Sequence, residues 1–144
     1  MNGSELLSEG RSVLKSQAFS RYIGAELVDL AKGHALLELV VEPHLLQQHG
    51  RVHGGVISYL ADNAMAFAAG SVIGDVLTVE YKINYVKGAR GQKLIASAHA
   101  EAVGKSLVVC RCIVEDVNME SERGVTCAFA QGTVVSVAVS KGTS

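Results

Sequence analysis

The chain has 144 residues, 49% of them hydrophobic, a net charge of -1 and a single proline, Pro43. That length bounds it to one domain, residues 1–144, with a core of its own, and the composition excludes a disordered chain. The near-neutral charge gives no electrostatic reason to expect a nucleic-acid partner.

Residues 4–15 read as a short amphipathic helix with Leu6, Leu7, Val13 and Leu14 on its apolar side and Ser4 as N-cap. Glu5, Glu9 and Arg11 interrupt any apolar run there, so no signal peptide is expected. Residues 23–30 and 35–42 read as two strands around a turn at 31–34, and Pro43 ends the second. A polar, histidine-containing loop follows from 44 to 53. Residues 55–69 then form the one long helix, with Gly70 placed to end it. Four strand-like runs complete the chain, at 76–86, 93–103, 107–117 and 125–137, and their short breaks favour antiparallel pairing. The order is β-β-α-β-β-β-β. The fold class expected is α+β, a curved antiparallel sheet of about six strands wrapped around one helix.

The long helix carries the sharpest chemical signal. His53-Gly54-Gly55 precedes it, and Asp62 is the only Asp, Glu, Lys or Arg between Arg51 and Asp75. A carboxylate among apolar and small residues is costly to bury without a partner. A Gly-Gly step at a helix start exposes backbone N–H groups at the positive end of the helix dipole. At 100° per residue Asp62 shares a face with Gly55, Ser58, Tyr59, Met65 and Ala66, while Ile57, Leu60, Ala64 and Phe67 point away. Apolar residues on both faces predict burial on nearly all sides. The hydropathy of residues 55–74 would suit a membrane span, but an aspartate near its middle would cost roughly 2.5–3.5 kcal/mol there, so a soluble core helix is expected.

His44, His49 and His53 tempt a metal reading. His49 and His53 are four apart, but they precede the helix, have no convincing third ligand and are interrupted by Gly50, so no metal is expected. Cys110, Cys112 and Cys127 are an odd number without metal spacing and read as reduced thiols in a cytoplasmic protein.

The elements Gly50-x-x-His53-Gly54-Gly55, Leu60-Ala61-Asp62-Asn63-Ala64, Thr78-Val79-Glu80-Tyr81-x-Ile83-x-Tyr85 and Gly104-Lys105-Ser106-Leu107 resemble the hotdog-fold thioesterases. Within that superfamily they are most similar to the PaaI-like acyl-CoA thioesterases of phenylacetate pathways. The resemblance covers residues 20–137. It implies hydrolysis of an aryl-, arylacetyl- or medium-chain acyl-CoA to the free acid and CoA. Asp62 would be nucleophile or general base, and the Gly54 N–H would polarise the thioester carbonyl. The family has Asn three residues before Gly50. Here Gln47 stands there, as in related 4-hydroxybenzoyl-CoA thioesterases, and its amide would orient the thioester or the water. Thr78 would hold the hydrolytic water; it is expected on the more polar side of its strand with Glu80, Lys82 and Asn84. His53 reads first as a structural residue of the loop, with a direct role as the alternative.

Gly55 and Ala66 would border the substrate, and the small residues Ala66, Ala69 and Gly70 would leave room for its acyl group. Lys87, Arg90 and Lys105 are the cations that the resemblance would set against CoA phosphates, but each alone reads first as a solvated loop charge, and Gly104-Lys105 reads first as a plain hairpin turn. The resemblance also implies a dimer, often paired again into a tetramer, with Asp62 of one subunit facing Gly54 and Gln47 of the other. No cofactor is implied beyond the CoA of the substrate. Two rivals compete. A hotdog hydratase or dehydratase would want a histidine base with an acidic partner, in an Asp, Asn-Pro and His motif that this chain lacks. A non-enzymatic acyl-CoA-binding module would normally carry an added DNA-binding domain.

Overall fold

Small side chains at alternate strand positions let one helix lie flat on one sheet. Leu37, Ala96, Val114 and Ala128 stand in a row across four strands, and Ala35, Ala98, Cys112 and Ala130 form the next row. Each of these residues is buried, and together they floor the core. The computed structural model describes residues 2–138. Its elements are α1 (Gly3–Ser16), α2 (Ala18–Ile23), β1 (Ala25–Ala31), β2 (His34–Val40), a 3-10 turn (Pro43–Leu45), α3 (Gly54–Ile73), β3 (Val76–Tyr85), β4 (Lys93–Val103), β5 (Leu107–Val117) and β6 (Gly124–Ser136). The strands pair antiparallel in one sheet, in the order β1-β2-β4-β5-β6-β3. This is the expected sheet around a central helix, the hotdog arrangement.

Three local expectations are corrected. The α1 N-cap is Asn2, not Ser4: Asn2 Oδ1 accepts the Glu5 N–H at 2.9 Å and the Ser4 hydroxyl at 2.9 Å. Residue 23 ends a second helix, α2, rather than opening a strand; Gly24, at φ +87°, closes it. Six residues are too few to show a helical period, so α2 was not legible. Gly70 does not end α3. The helix runs on to Ile73, and Gly74 at φ +89° stops it, its N–H reaching Gly70 O at 3.0 Å. Only the left-handed position demands glycine.

α3 is buried on its sheet side by Val56, Ile57, Leu60, Ala61, Ala64, Met65, Phe67, Ala68 and Ala69. The side bearing Ser58, Tyr59, Asp62, Asn63 and Ala66 is only half covered, so the helix is not enclosed all round as expected. Met65 is not on that open side. It is fully buried, close to Gly132 of β6, where a Cβ would come within 3.3 Å of its Cε.

The N-terminal helices close one flank. Gly10 of α1 rides directly on β1, and a Cβ there would meet Leu27 Cδ2 and Leu30 Cδ2 at 2.7 Å. Arg11 Nε donates to Leu27 O at 3.0 Å and fixes the same contact.

Candidate active site

The start of α3 is held by side chains rather than by the helix itself. Helix geometry leaves the first backbone N–H groups without partners. His53 Nδ1 accepts the Gly55 N–H at 2.9 Å, and His53 O accepts the Val56 N–H at 2.9 Å. The Gly54 carbonyl oxygen accepts the Tyr85 hydroxyl at 2.9 Å. Among the described residues nothing accepts the Gly54 N–H. It remains a free donor at the positive end of a 20-residue helix. Gly55 has no such freedom, because its N–H is taken by the cap and a Cβ there would come within 3.0 Å of His53 Nδ1. An acceptor Nδ1 in a neutral ring puts the His53 proton on Nε2. His53 is therefore a capping residue.

Gln47 is more than a solvated loop amide. Its Oε1 accepts the backbone N–H of His49 at 2.6 Å and of Arg51 at 3.3 Å. Its backbone N–H donates to Arg51 O at 2.7 Å, and its carbonyl oxygen accepts from Gly50, at φ +79°. The oxygen closes the loop, which leaves the amide Nε2 as the group that can donate outward.

Asp62 sits two turns along α3, half-buried, and its Oδ1 is buried without a hydrogen-bond partner among the described residues. Leaving such an acceptor unmade costs about 1–3 kcal/mol. Polar groups flank it on both sides. Tyr59, Ser20, Gln17 and Asn63 form a closed network: Ser20 Oγ lies 2.5 Å from Tyr59 OH and donates to Gln17 Oε1 at 2.6 Å, and Asn63 Nδ2 donates to Tyr59 OH at 3.0 Å and Gln17 Oε1 at 3.2 Å. Burial raises the Tyr59 pKa, the Ser20 and Asn63 hydrogen bonds lower it, and the nearby Asp62 charge raises it further. On the other side Ser58 Oγ lies 2.5 Å from Tyr81 OH. Sequence reasoning missed both sets of contacts; the spacing of Tyr81 and Tyr85 was visible, but not what they touch.

The position of Thr78 corrects an expectation. A β-bulge at Val79 separates the pairs Thr78↔Val134 and Glu80↔Thr133. Val134 is fully buried beneath α3, so Thr78 shares the helix-facing side with Tyr81, Ile83 and Tyr85, opposite Glu80, Lys82 and Asn84. β3 runs back along α3. Val76 lies at Gly70, Tyr81 at Ser58 and Tyr85 at Gly54. Thr78 is bracketed at the level of Asp62 and Ala66.

The cation candidates do not converge within one chain. Lys87 and Arg90 stand exposed beside the Gly54 end, where the Arg90 and Gly91 N–H groups donate to Asp116 at 2.9 and 2.7 Å. Gly104 and Lys105 turn the β4–β5 hairpin at the other end of β4, about 33 Å away at 3.3 Å per residue. Arg51 joins the first group, its side chain lying where a Cβ on Gly88 would stand. Ala69 is fully buried and borders no open space, whereas Ala66 and Gly70 line a cavity between α1 and α3. The three cysteines are free and buried.

A family model described as the thioesterase superfamily matches residues 49–122. A protein of Saccharolobus solfataricus, provisionally named an esterase, is 30% identical over 131 residues, 90% of this chain and 84% of that one. The Escherichia coli acyl-coenzyme A thioesterase PaaI is 25% identical over 122 residues, 84% of each chain. Among solved structures, a thioesterase family protein from Silicibacter pomeroyi aligns with a TM-score of 0.85 at 26% identity, covering 90% of this chain and 96% of that one.

Proposed function

This chain belongs to the thioesterase superfamily, whose members are hydrolases, and from that footing we propose that it hydrolyses acyl-CoA thioesters at a site shared between two copies of itself. The observation that carries the reading is the buried, unpartnered Oδ1 of Asp62 on the helix that begins with the free Gly54 N–H.

Helix geometry supports a site shared between copies. Eight residues at 1.5 Å each set the Gly54 N–H and Asp62 about 12 Å apart along α3. Both must lie near 3 Å from one carbonyl group to work on it. Gly54 and Asp62 of one chain cannot do so, and two antiparallel copies can. The edge strand β3 supports the pairing: it leaves one ladder edge open and exposes Leu77 and Val79. A dimer formed there brings the Gly54, Gln47, Lys87 and Arg90 end of one copy toward the Asp62, Lys105 end of the other.

The chemistry then needs few groups. The thioester carbonyl accepts the Gly54 N–H, and the Gln47 Nε2 donor orients the same group. Asp62 either attacks the carbonyl carbon or takes a proton from a water held by Thr78. In each case a C–O bond forms, the C–S bond breaks, and the electron pair leaves on sulfur. A thiol near pKa 8.5 leaves readily, so little general-acid help is required. The products are the free acid and CoA; water is the second substrate and no metal or organic cofactor takes part. The acyl group is aryl, arylacetyl or medium-chain. Turnover of an acyl-CoA panel, followed by free-thiol release and run beside Asp62→Asn, tests the reading: absence of turnover on every thioester refutes it. Single turnover in 18O-water tests the nucleophilic role, because label in the Asp62 carboxylate can come only from a mixed anhydride that water opens at the aspartyl carbonyl.

A further inference from the structure

Resting on the thioesterase reading, we infer that the acyl group lies in the cavity between α1 and α3, and that α1 is the wall that sets its length. The cavity has a volume of about 410 Å³, and its apolar lining includes Leu6, Val13, Ala66, Phe67, Gly70 and Val76. That lies at the low end of small-molecule sites, enough for an acyl group and too little for CoA.

Its direction follows from the helix. Ala66 and Gly70 succeed Asp62 at intervals of four, each turned about 40° further round α3. A chain bonded to a carbonyl at Asp62 would follow this shallow spiral away from the carboxylate and into the cavity. Neither position has a bulky side chain to block it. From Ala66 to Gly74, which also borders the cavity, α3 advances about 12 Å. An extended alkyl chain advances roughly 1.25 Å per carbon with bonds near 1.52 Å, so the path holds about ten carbons.

The wall is built to hold its position. Gly10 and Arg11 lock α1 onto β1. The network of Gln17 and Ser20 with Tyr59 and Asn63 ties the α1–α2 corner to the turn of α3 that bears Asp62. Glu9 and Asp75 also border the cavity. Two carboxylates beside an apolar site disfavour a negatively charged acyl terminus. The ligand class is therefore an uncharged apolar acyl group, medium-chain or arylacetyl, and not a dicarboxylic one.

The test compares octanoyl-CoA, acetyl-CoA and succinyl-CoA on the full-length protein. Val13 lines the cavity and is 48% exposed, so a larger side chain there can occupy it without displacing core. Val13→Trp should lower kcat/KM for octanoyl-CoA about tenfold more than for acetyl-CoA, within the usual range for pocket size discrimination. Leu6→Ala should shift the preferred chain length upward; it adds no bulk and decides the matter if the tryptophan variant fails to fold. Wild type should favour octanoyl-CoA over succinyl-CoA. If the wild type is active and the octanoyl-to-acetyl ratio is unchanged in folded variants, the cavity is not the acyl site and the thioesterase reading stands. A wild type inactive on all thioesters overturns both.

Discussion

The Tyr85 hydroxyl donates to the Gly54 carbonyl oxygen at 2.9 Å, while the N–H of the same peptide unit, that of Gly55, is bound by His53 Nδ1 at 2.9 Å. The peptide at the tip of α3 is thus gripped from both sides. This leaves the neighbouring Gly54 N–H fixed in direction and free of partners, which is what a preorganised oxyanion donor requires. Tyr85→Phe should therefore lower kcat by roughly three- to tenfold with little change in KM, because the lost grip loosens a donor felt chiefly in the transition state. An equal rise in KM with kcat unchanged would contradict this role.

Asp62→Asn should remove at least about 99% of turnover, since loss of a central catalytic group costs several kcal/mol. Stability should hold or rise by up to about 1 kcal/mol, because the substitution removes a buried charge with an unpaired oxygen. Retention of more than about a tenth of wild-type kcat, a loss under ~1.4 kcal/mol, would make the assignment untenable.

The shared site is tested by complementation. Asp62→Asn and Gly54→Pro should each be inactive alone. In a refolded equal mixture, half the dimers are heterodimers, and each carries one intact site made of Asp62 from one variant and Gly54 from the other. About a quarter of wild-type activity should return, as two-fold symmetry dictates. No recovery, together with a monomer in sedimentation, would place the site within one chain. Val79→Lys on the open edge of β3 should give the monomer directly and abolish activity.

Gln47→Ala should lower both stability and activity. Its Oε1 holds two backbone N–H groups, so its loss should cost about 1 kcal/mol in thermal or urea unfolding. The Nε2 donor should be worth about tenfold in kcat/KM. Gln47→Asn, with an amide one methylene shorter, should retain more of both than Ala. A variant as stable and active as wild type would make Gln47 a bystander.

The cysteines give a pH dependence. Burial pushes the thiols up from 9.0, to about 11 for Cys110, about 12 for Cys112 and about 11 for Cys127, with nearby negative charge adding to it. Above pH 9 the unfolded chain loses these protons while the folded chain keeps them, so the unfolded state binds fewer protons and stability falls as pH rises. Their contribution is intact below about pH 9 and is lost through pH 11–12. The urea midpoint should therefore drop between pH 8 and 10.5, and Cys112→Ala should flatten that slope. Ellman's reagent should label none of the three until the protein unfolds.

By itself the sequence determined the order of the six strands and the long helix, the antiparallel sheet and the segment that carries the candidate site. Each rests on local rules: strand alternation, a Gly-Gly helix start, and one carboxylate in an apolar helix. β4 and β5 were legible to the residue because Gly104-Lys105-Ser106 and the polar breaks flank clear alternation. Gly54 and Asp62 stood out as candidates because both signals lie within ten residues of one another.

Only the tertiary structure decided the rest, because it depends on partners far apart in the chain. The bulge at Val79 turned Thr78 onto the helix face, and a one-residue insertion leaves the hydrophobic pattern too short to reveal it. The end of α3 passed from Gly70 to Gly74 because the sign of φ, not the presence of glycine, stops a helix. Met65 left the open face because Gly132, sixty-seven residues on, makes room for it. The cavity between α1 and α3 is framed by contacts far apart in the chain: Gly10 lets α1 press onto β1, and Gln17 and Ser20 reach Tyr59 and Asn63. Those contacts join residues with no sequence period in common, so folding alone brings them together.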